Sequence, residues 1–308
     1  MLNVPMDILK FHPIRRTKEQ KEAFQGDILA YVRDLGYEAW VEQAGKKAQN
    51  IIIGNPQNAK YMVTAHYDTP ASIGIPNVLT PCNLLTFILW QVLVIGGLLV
   101  TAIASGAVTY LLTHSKLVML LVAYVVYFGI LGLMMFGPAN KSNVNDNSSG
   151  VVTVLEIART LQENQRNKVC FILFDLEESG LVGSKGYRKA HKAATENQIV
   201  LNLDCVGDGD SIIFFPSKKL KKDASQMANL KRCGGWFGFK HITIHEKGFA
   251  NYPSDHVRFP LGVGVGAFHE KNGKNPCLKR IHTVHDTVLD ETNVNILRAC
   301  ISTLISMQ

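Results

Sequence analysis

Acidic and histidine side chains of the kind that bind divalent metals stand in five short segments of the chain. The segments are His66–Asp68, Asn145–Asn147, Glu177–Glu178, Asp204 and His282–Asp286. Taken singly, a histidine near an aspartate or a pair of glutamates is usually an exposed surface feature. Taken together, two histidines with three or four carboxylates are typical of a zinc centre, and the surplus of carboxylates favours two ions over one. The residue types therefore predict metal-assisted chemistry.

Three of these segments follow predicted strands. The apolar stretches 60–66, 169–175 and 199–204 each end at or just before such residues. Further strands are expected at 37–43, 50–54, 211–215, 240–245 and 261–268, and helices from a Thr17–Gln20 capping box to about Leu35, at 149–162, 180–191 and 220–232, and from Thr292. This alternation predicts an α/β fold, a mostly parallel mixed sheet covered by helices on both faces. Sites form at the carboxyl ends of strands in such sheets.

A long segment without charge interrupts this pattern. The chain has 32 Lys and Arg and 25 Asp and Glu, yet Lys116 is the single charged residue between positions 69 and 140. The remainder is about 24% charged, typical of a globular domain, which excludes disorder, collagen-like repeats and a coiled coil. Residues 83–112 and 117–136 each reach the ~20 apolar residues that cross a bilayer. A transmembrane hairpin is favoured over a buried helical pair, because the other residues could hardly surround two helices of about 30 Å.

A hairpin returns the chain to the side of the membrane that it left. Residues 1–80 and 138–308 are therefore expected to form one domain, with 81–137 as the inserted hairpin. Lys116 and Lys141 nearly cancel in the positive-inside count. The N-terminus lacks the order of a signal peptide, and six cysteines without a CxxC pair favour reduced thiols. We expect an integral plasma membrane protein whose catalytic domain lies on the cytoplasmic side.

Six motifs, taken in chain order, resemble a known family. They are TAHYDT (64–69), NDNSSG (145–150), FILFDLEESGLVGSKGY (171–187), LNLDCVG (201–207), YPSDHVRF (252–259) and HTVHDT (282–287). On these residues the chain is similar to the di-zinc aminopeptidases of the bacterial leucyl aminopeptidase and aminopeptidase Y type, metallopeptidase family twenty-eight. Two features depart from the family. Val284 replaces a commoner proline, and the hairpin occupies a connection that is short in soluble members.

The resemblance implies a ligand set for two Zn²⁺ ions and a zinc exopeptidase-like fold. Asp146 would bridge the ions. His66 and Asp204 would complete the coordination of one ion, and Glu178 and His282 that of the other.

The resemblance also implies the catalytic groups. Glu177 would be the general base that activates a water bridging the ions, and Asp68 would accept the ring N–H of His66. His285, three residues after His282, is a rival ligand, but the family's last ligand is the histidine of the His-Thr pair. Asp255 and His256 match a family motif near the substrate pocket, and a helix-capping aspartate with a structural histidine explains them equally well.

The function that this resemblance implies is a membrane-anchored di-zinc metallo-aminopeptidase that removes N-terminal residues from peptides. Two alternatives stay open: a single-zinc enzyme similar to glutaminyl cyclases, and a non-catalytic membrane interaction module on the same fold. The expected partners are peptide substrates and the lipid bilayer, and nucleic acid is not expected. A homodimer through the hairpin is a further expectation, from Gly96-Gly97 and the small residues between Ala102 and Gly106.

Overall fold

The computed structural model describes residues 3–75, 77–271 and 274–307. Its helices are α1 (Asn3–Phe11), α2 (Lys18–Asp34), α3 (Leu84–Thr113), α4 (Lys116–Phe136), α5 (Gly150–Thr160), α6 (Val182–Ala190), α7 (Ala224–Lys231) and α8 (Glu291–Ser306). Its strands are β1 (Ala39–Ala44), β2 (Ala48–Ile53), β3 (Tyr61–His66), β4 (Val169–Phe174), β5 (Ile199–Leu203), β6 (Ser211–Pro216), β7 (Gly235–Phe237), β8 (Lys240–Ile244), β9 (Gly262–Lys271) and β10 (Lys274–Cys277).

The strands form one mixed sheet with a parallel centre. Its order is β1-β2-β4-β3-β5-β9-β6-β8-β7, and β10 pairs with the far half of β9. The central strands β4, β3, β5 and β9 run parallel, whereas β1–β2, β2–β4, β6–β9 and β7–β8 are antiparallel. The carboxyl ends of β3, β4 and β5 therefore meet at one edge, as the alternating pattern predicts.

Both faces of the central sheet are covered, because successive residues of the buried strands belong to different cores. Val63 and Leu173 lie in the large core with residues of α2, α5 and α8. Their neighbours Met62 and Ile172 lie in a smaller core with Tyr187 of α6. This alternation follows from the period of two residues in a strand. It explains why β3, β4 and β5 are apolar throughout.

The hairpin helices α3 and α4 project from the domain and pack on one another. Leu98, Ala102 and Gly106 form the buried stripe of α3, and a Cβ at Gly106 would lie 3.1 Å from the Met119 carbonyl oxygen of α4. In the most apolar window of each helix, 6% of the α3 residues and 0% of the α4 residues are buried. Neither helix is therefore a core element among the described residues, and both are long and apolar enough to cross a membrane.

Some elements differ from the sequence expectation. The helix expected at 220–232 is a short 3-10 turn, Leu220–Lys222, followed by α7, because the Asp223 side chain accepts the N–H of Gln226 and begins a new helix there. The strand expected at 261–268 continues to Lys271. Helix α1 and strands β7 and β10 were not expected.

The cysteines correct one expectation. Cys233 and Cys300 form a disulfide with a Cα–Cα distance of 5.4 Å, although their separation in the chain is 67 residues. Cys82, Cys170, Cys205 and Cys277 are free. The expectation of six reduced thiols is thus wrong for this pair, which no local spacing marks.

A pair of glycine substitutions tests the packing at the start of α5. A Cβ at Gly150 would overlap the Leu203 carbonyl oxygen and the Asn147 side chain, whereas a Cβ at Gly26 in α2 meets open space. We expect Gly150→Ala to lower the free energy of unfolding by about 1–3 kcal/mol, and Gly26→Ala to raise it by about 0.5–1 kcal/mol. Chemical unfolding of the detergent-solubilised protein measures both. Equal effects of the two changes would contradict this packing.

Candidate metal centre

The centre of the site is the carboxylate of Asp146, which lies between two histidines. Its Oδ1 is 3.2 Å from Nε2 of His66, and its Oδ2 is 3.0 Å from Nε2 of His282. Asp204 stands on the His66 side, with Oδ1 3.7 Å from the same Nε2. Glu178 stands on the His282 side, with Oε1 3.5 Å from that Nε2. Asp146 is therefore common to two donor groups, one on each oxygen.

Each donor group is compact enough for one ion. The ligand atoms of His66, Asp146 and Asp204 all lie within 4.8 Å of one another, and so do those of Asp146, Glu178 and His282. Oδ1 of Asp204 is buried without a hydrogen-bond partner, as expected of an atom that faces a cation. Nitrogen and carboxylate donors of this kind suit zinc. The two donor groups thus have the residue types and the spacing that suit zinc.

The segment that carries Asp146 is held by a carboxylate from the far end of the chain. Asp286, which is buried, accepts the N–H of Asn145 at 2.8 Å and the N–H of Asp146 at 3.0 Å. Burial raises the pKa of Asp286 to about 7. The last histidine motif therefore supplies both His282 and the support of the central aspartate.

The amide side chains around Asp146 tie it to the loop that follows β5. Asn147 donates to the Leu203 carbonyl at 2.9 Å and accepts the N–H of Cys205 at 3.2 Å. Asn145 accepts the N–H of Gly207 at 2.7 Å. These bonds explain why amides flank the central aspartate.

Asp68 links β3 to the two glutamates. Its Oδ1 accepts the N–H of Glu177 at 3.0 Å, and its Oδ2 accepts the N–H of Glu178 at 3.2 Å. Oδ1 also lies 3.4 Å from Nδ1 of His66, the nitrogen that does not face Asp146. One buried carboxylate thus positions a donor from each side of the site, as outer carboxylates do in metal proteins.

Three residues beside the ligands have left-handed backbone conformations. Leu176, Cys205 and His282 have φ angles of 55°, 51° and 61°. Such angles are uncommon for residues other than glycine, and they concentrate at functional sites where surrounding contacts hold them. Leu176 follows the end of β4 and Cys205 follows the end of β5, whereas His282 is itself a proposed ligand in the loop after β10.

The raised pKa values of the glutamates and histidines indicate that the site has a surplus of negative charge. Burial raises the pKa of Glu177 well above its usual value and that of Glu178 to about 8. Burial would lower the pKa of His282, but Glu178 and Asp146 beside it raise that pKa to about 10. His66 behaves in the same way, with its pKa raised by Asp146, Asp204 and Asp68 against the effect of burial. Divalent cations would supply this charge and leave the histidines neutral.

Asp255 and His256 lie in the Asp255–Arg258 turn, both of them buried. Burial raises the pKa of Asp255 to about 7 and lowers that of His256 to about 4. Both carboxylate oxygens of Asp255 and Nδ1 of His256 lack hydrogen-bond partners. His285, in contrast, is exposed and belongs to neither donor group. The structure thus brings His282 and not His285 to Asp146.

Two supporting residues were not identified from the sequence. Asp286 lies inside the HTVHDT motif, so this motif could have identified it as a residue of the site. Arg15 is buried, and its guanidinium donates to the Tyr67 carbonyl at 2.5 Å and to Asn143 and Ser148 at 3.1 Å each. Burial lowers the pKa of Arg15 to about 10, against the opposing effects of Asp68 and Asp146. No local pattern around Arg15 marks that role.

The fold is shared with zinc-dependent exopeptidases and their structural relatives. Glutaminyl cyclase from Porphyromonas gingivalis superimposes with a TM-score of 0.65 at 15% identity, covering 100% of this chain and 98% of that one. A Zn-dependent exopeptidase from Parabacteroides distasonis gives 0.63 at 15% identity, with the same coverage. The LapA aminopeptidase of Legionella pneumophila gives 0.58 at 14% identity, covering 100% of this chain and 70% of that one.

The sequence comparisons give the family. The profile of Peptidase family M28 matches residues 133–307, more than half of the chain. Aminopeptidase YwaD of Bacillus subtilis is 31% identical over an alignment of 121 residues, and the match covers 34% of this chain and 26% of that protein. The chain therefore spans about a quarter of the length of this relative. The chain belongs to peptidase family M28, as its motifs indicated.

Removal of the Asp286 carboxylate tests the support of Asp146. We expect Asp286→Ala to weaken zinc binding by about 10–100-fold, because two backbone N–H groups beside the central ligand lose their acceptor. Competition with a chelator measures the affinity. Asp290→Ala is the matched control, since Asp290 caps α8 and pairs with Lys240 at 2.6 Å. It should cost stability through the lost cap, about 1 kcal/mol, and further through the buried Lys240 that loses a partner, without changing zinc affinity. An unchanged affinity in Asp286→Ala would contradict the assigned support.

Proposed function

We propose that the protein is a membrane-anchored di-zinc metallo-aminopeptidase that hydrolyses N-terminal residues from peptides. The observation that carries this proposal is the Asp146 carboxylate, which presents one oxygen to each of two compact donor groups. A single-zinc enzyme needs one such group. Membership of a peptidase family and the match to an aminopeptidase support the reaction class.

Glu177 is assigned as the general base. When bound, two zinc ions polarise the scissile carbonyl and activate the attacking water. The Glu177 carboxylate lies within 4.8 Å of the donor atoms of His66 and Glu178, and it is absent from the two groups that share Asp146. It can therefore accept the proton of the water and deliver it to the leaving amine. Asp68 holds the Glu177 backbone in place for that transfer.

Asp255 and His256 are assigned to the substrate pocket. Burial raises the pKa of Asp255, which is also close enough to His66, Asp68 and Asp204 for their charges to shift that pKa. His256 follows Asp255 in the same turn. A buried carboxylate is costly unless a cation or donor meets it. A free amino terminus has that chemistry. This assignment agrees with an exopeptidase.

The hairpin is proposed to span the plasma membrane, with the catalytic domain on the cytoplasmic side. Support for the span comes from the exposed apolar surfaces of α3 and α4 and from their length. The orientation rests on the sequence expectation alone, and the Cys233–Cys300 disulfide counts against it. Ala102 and Gly106 already pack against α4, whereas Gly96 and Gly97 meet nothing within 4 Å. The proposed homodimer would therefore use Gly96 and Gly97.

Glu177→Gln tests the mechanism. Loss of the proton acceptor should lower kcat on aminoacyl reporter peptides by about 10²–10⁴-fold, while two zinc ions per chain remain. Glu196→Gln, which removes an exposed carboxylate that pairs with Arg188 and Lys219, should leave both quantities unchanged. An active Glu177→Gln protein would contradict the mechanism. One zinc per chain, with cyclisation of N-terminal glutamine, would favour the cyclase instead.

Two single cysteines test the orientation. Thr113→Cys lies at the tip of the hairpin and Lys189→Cys lies on the exposed surface of α6. With a cytoplasmic domain, a membrane-impermeant thiol reagent should label intact cells at position 113 and not at position 189. The reverse pattern would overturn the orientation. The Cys233–Cys300 disulfide would agree with that reversed orientation, because disulfides are rare in the cytosol.

A further inference from the structure

The chain segments that enter and leave the hairpin clamp the loop that carries His282. On the entry side, the N–H of Ile73 donates to the His282 carbonyl at 2.7 Å. On the exit side, the buried Asn140 side chain donates to the Thr283 carbonyl at 3.0 Å. The two segments also pair with one another through Ala71 and Ala139. The base of the hairpin is thus part of the wall of the metal site.

The first turn of α3 rests on a second wall of the site. Leu79 pairs with Leu278, and the Asn83 side chain donates to Asn275 at 2.8 Å. Both partners belong to the segment between β9 and His282. The hairpin contacts therefore continue from Thr283 and His282 back along the chain to Asn275.

A short path of backbone and hydrogen bonds connects His282 to the end of α4, which is one end of the proposed membrane span. His282 bonds Ile73, the adjacent Ser72 donates to Pro138 at 2.8 Å, and Phe136 ends α4 two residues earlier. With 3.8 Å between successive Cα atoms and about 5 Å across each backbone hydrogen bond, the path from His282 to Phe136 is about 21 Å. That distance is shorter than the diameter of a small globular domain.

The rim between the hairpin and the site has the composition of a membrane-facing surface. We define the rim as segments 69–83, 137–144 and 275–285. The rim contains no Asp or Glu, and its Lys and Arg residues are Lys141, Lys279 and Arg280. Lys141 and Lys279 are exposed, and so are the apolar side chains of Ile75 (44%) and Val284 (64%). Exposed apolar residues among lysines are typical of contact with anionic headgroups.

From these contacts we propose that the bilayer surface borders the entrance of the active site, so that the enzyme takes N-terminal ends presented close to the headgroups. The substrate class is the short, flexible N-terminal segment of a chain that is itself anchored in the same membrane. A small folded domain is about 30 Å across, so a soluble protein whose N-terminus does not extend from its surface meets the bilayer as that end approaches a site about 21 Å from the membrane. This inference rests on the proposed aminopeptidase activity and adds where its substrates come from.

Anchored peptides of different reach test the inference with the full-length protein in anionic vesicles. Each peptide carries the same N-terminal reporter sequence, a polyproline spacer of about 6 or about 24 residues, which spans about 19 or about 74 Å, and a C-terminal acyl anchor. The same reporter sequence without an anchor is the soluble reference. At equal surface density the long spacer spreads the reporter over a layer about four times as thick, so dilution alone accounts for about a fourfold difference in rate.

The short-spacer peptide should be hydrolysed with a kcat/KM at least about tenfold above that of the long-spacer peptide. A ratio of about fourfold or less, which dilution alone explains, would overturn the inference. Hydrolysis of the soluble reference reports the proposed function separately. If the reference is cleaved and the spacers make no difference, the inference alone fails, and if no peptide is cleaved, both fail.

Charge reversal on the rim supplies a second test. Lys141→Glu with Lys279→Glu should lower the preference for the short spacer severalfold in anionic vesicles, because each lysine loses its attraction to the headgroups. Cleavage of the soluble reference should not change. Lys189→Glu with Lys222→Glu, two exposed lysines outside the rim, is the matched control. An unchanged preference in the rim variant would contradict contact between the rim and the bilayer.

Discussion

The structure of the site depends on the carboxylate of Asp146, whose two oxygens must face two different donor groups. Asp146 can present one oxygen to His66 and the other to His282 because its backbone is held from behind by Asp286. Asn147 fixes the same segment to the loop after β5, which carries Asp204. A small rotation of the segment would break both donor groups at once. This explains why so many buried polar bonds converge on a stretch of six residues.

The parallel centre of the sheet serves this geometry. Strands β3, β4 and β5 end at the same edge of the sheet, so that His66, the two glutamates and Asp204 lie side by side there. Asp68 then bonds the backbone of the glutamates, so that the end of β3 and the turn after β4 behave as one unit. The energetic cost of gathering carboxylates in a buried place is met when cations bind, and the apolar packing on both faces holds the strands until they do.

Local patterns predicted most of the strands and helices, and the family motifs named the residues that the structure brings to Asp146. The buried strands are apolar without interruption, and motifs mark where they end, so the edge that carries His66, Glu178 and Asp204 could be located. Contacts between distant parts of the chain left no such mark. Arg15 reaches Ser148 across 133 residues, and Cys233 meets Cys300 across 67. Strand β7 is three exposed residues long and has no buried face to impose a period. Those features follow from tertiary packing, which periodicity does not encode.

The position of the hairpin between β3 and β4 has a consequence for biogenesis. These strands pair along their whole length. If the hairpin spans a membrane as proposed, the sheet can form only when both ends of the hairpin emerge on the same side of the bilayer. A chain in which one of the two helices failed to insert would leave β3 and β4 in different compartments, with neither a sheet nor a complete ligand set. Correct membrane topology is then a precondition of folding, and a misinserted copy would be inert and unable to hydrolyse peptides on the wrong side of the membrane.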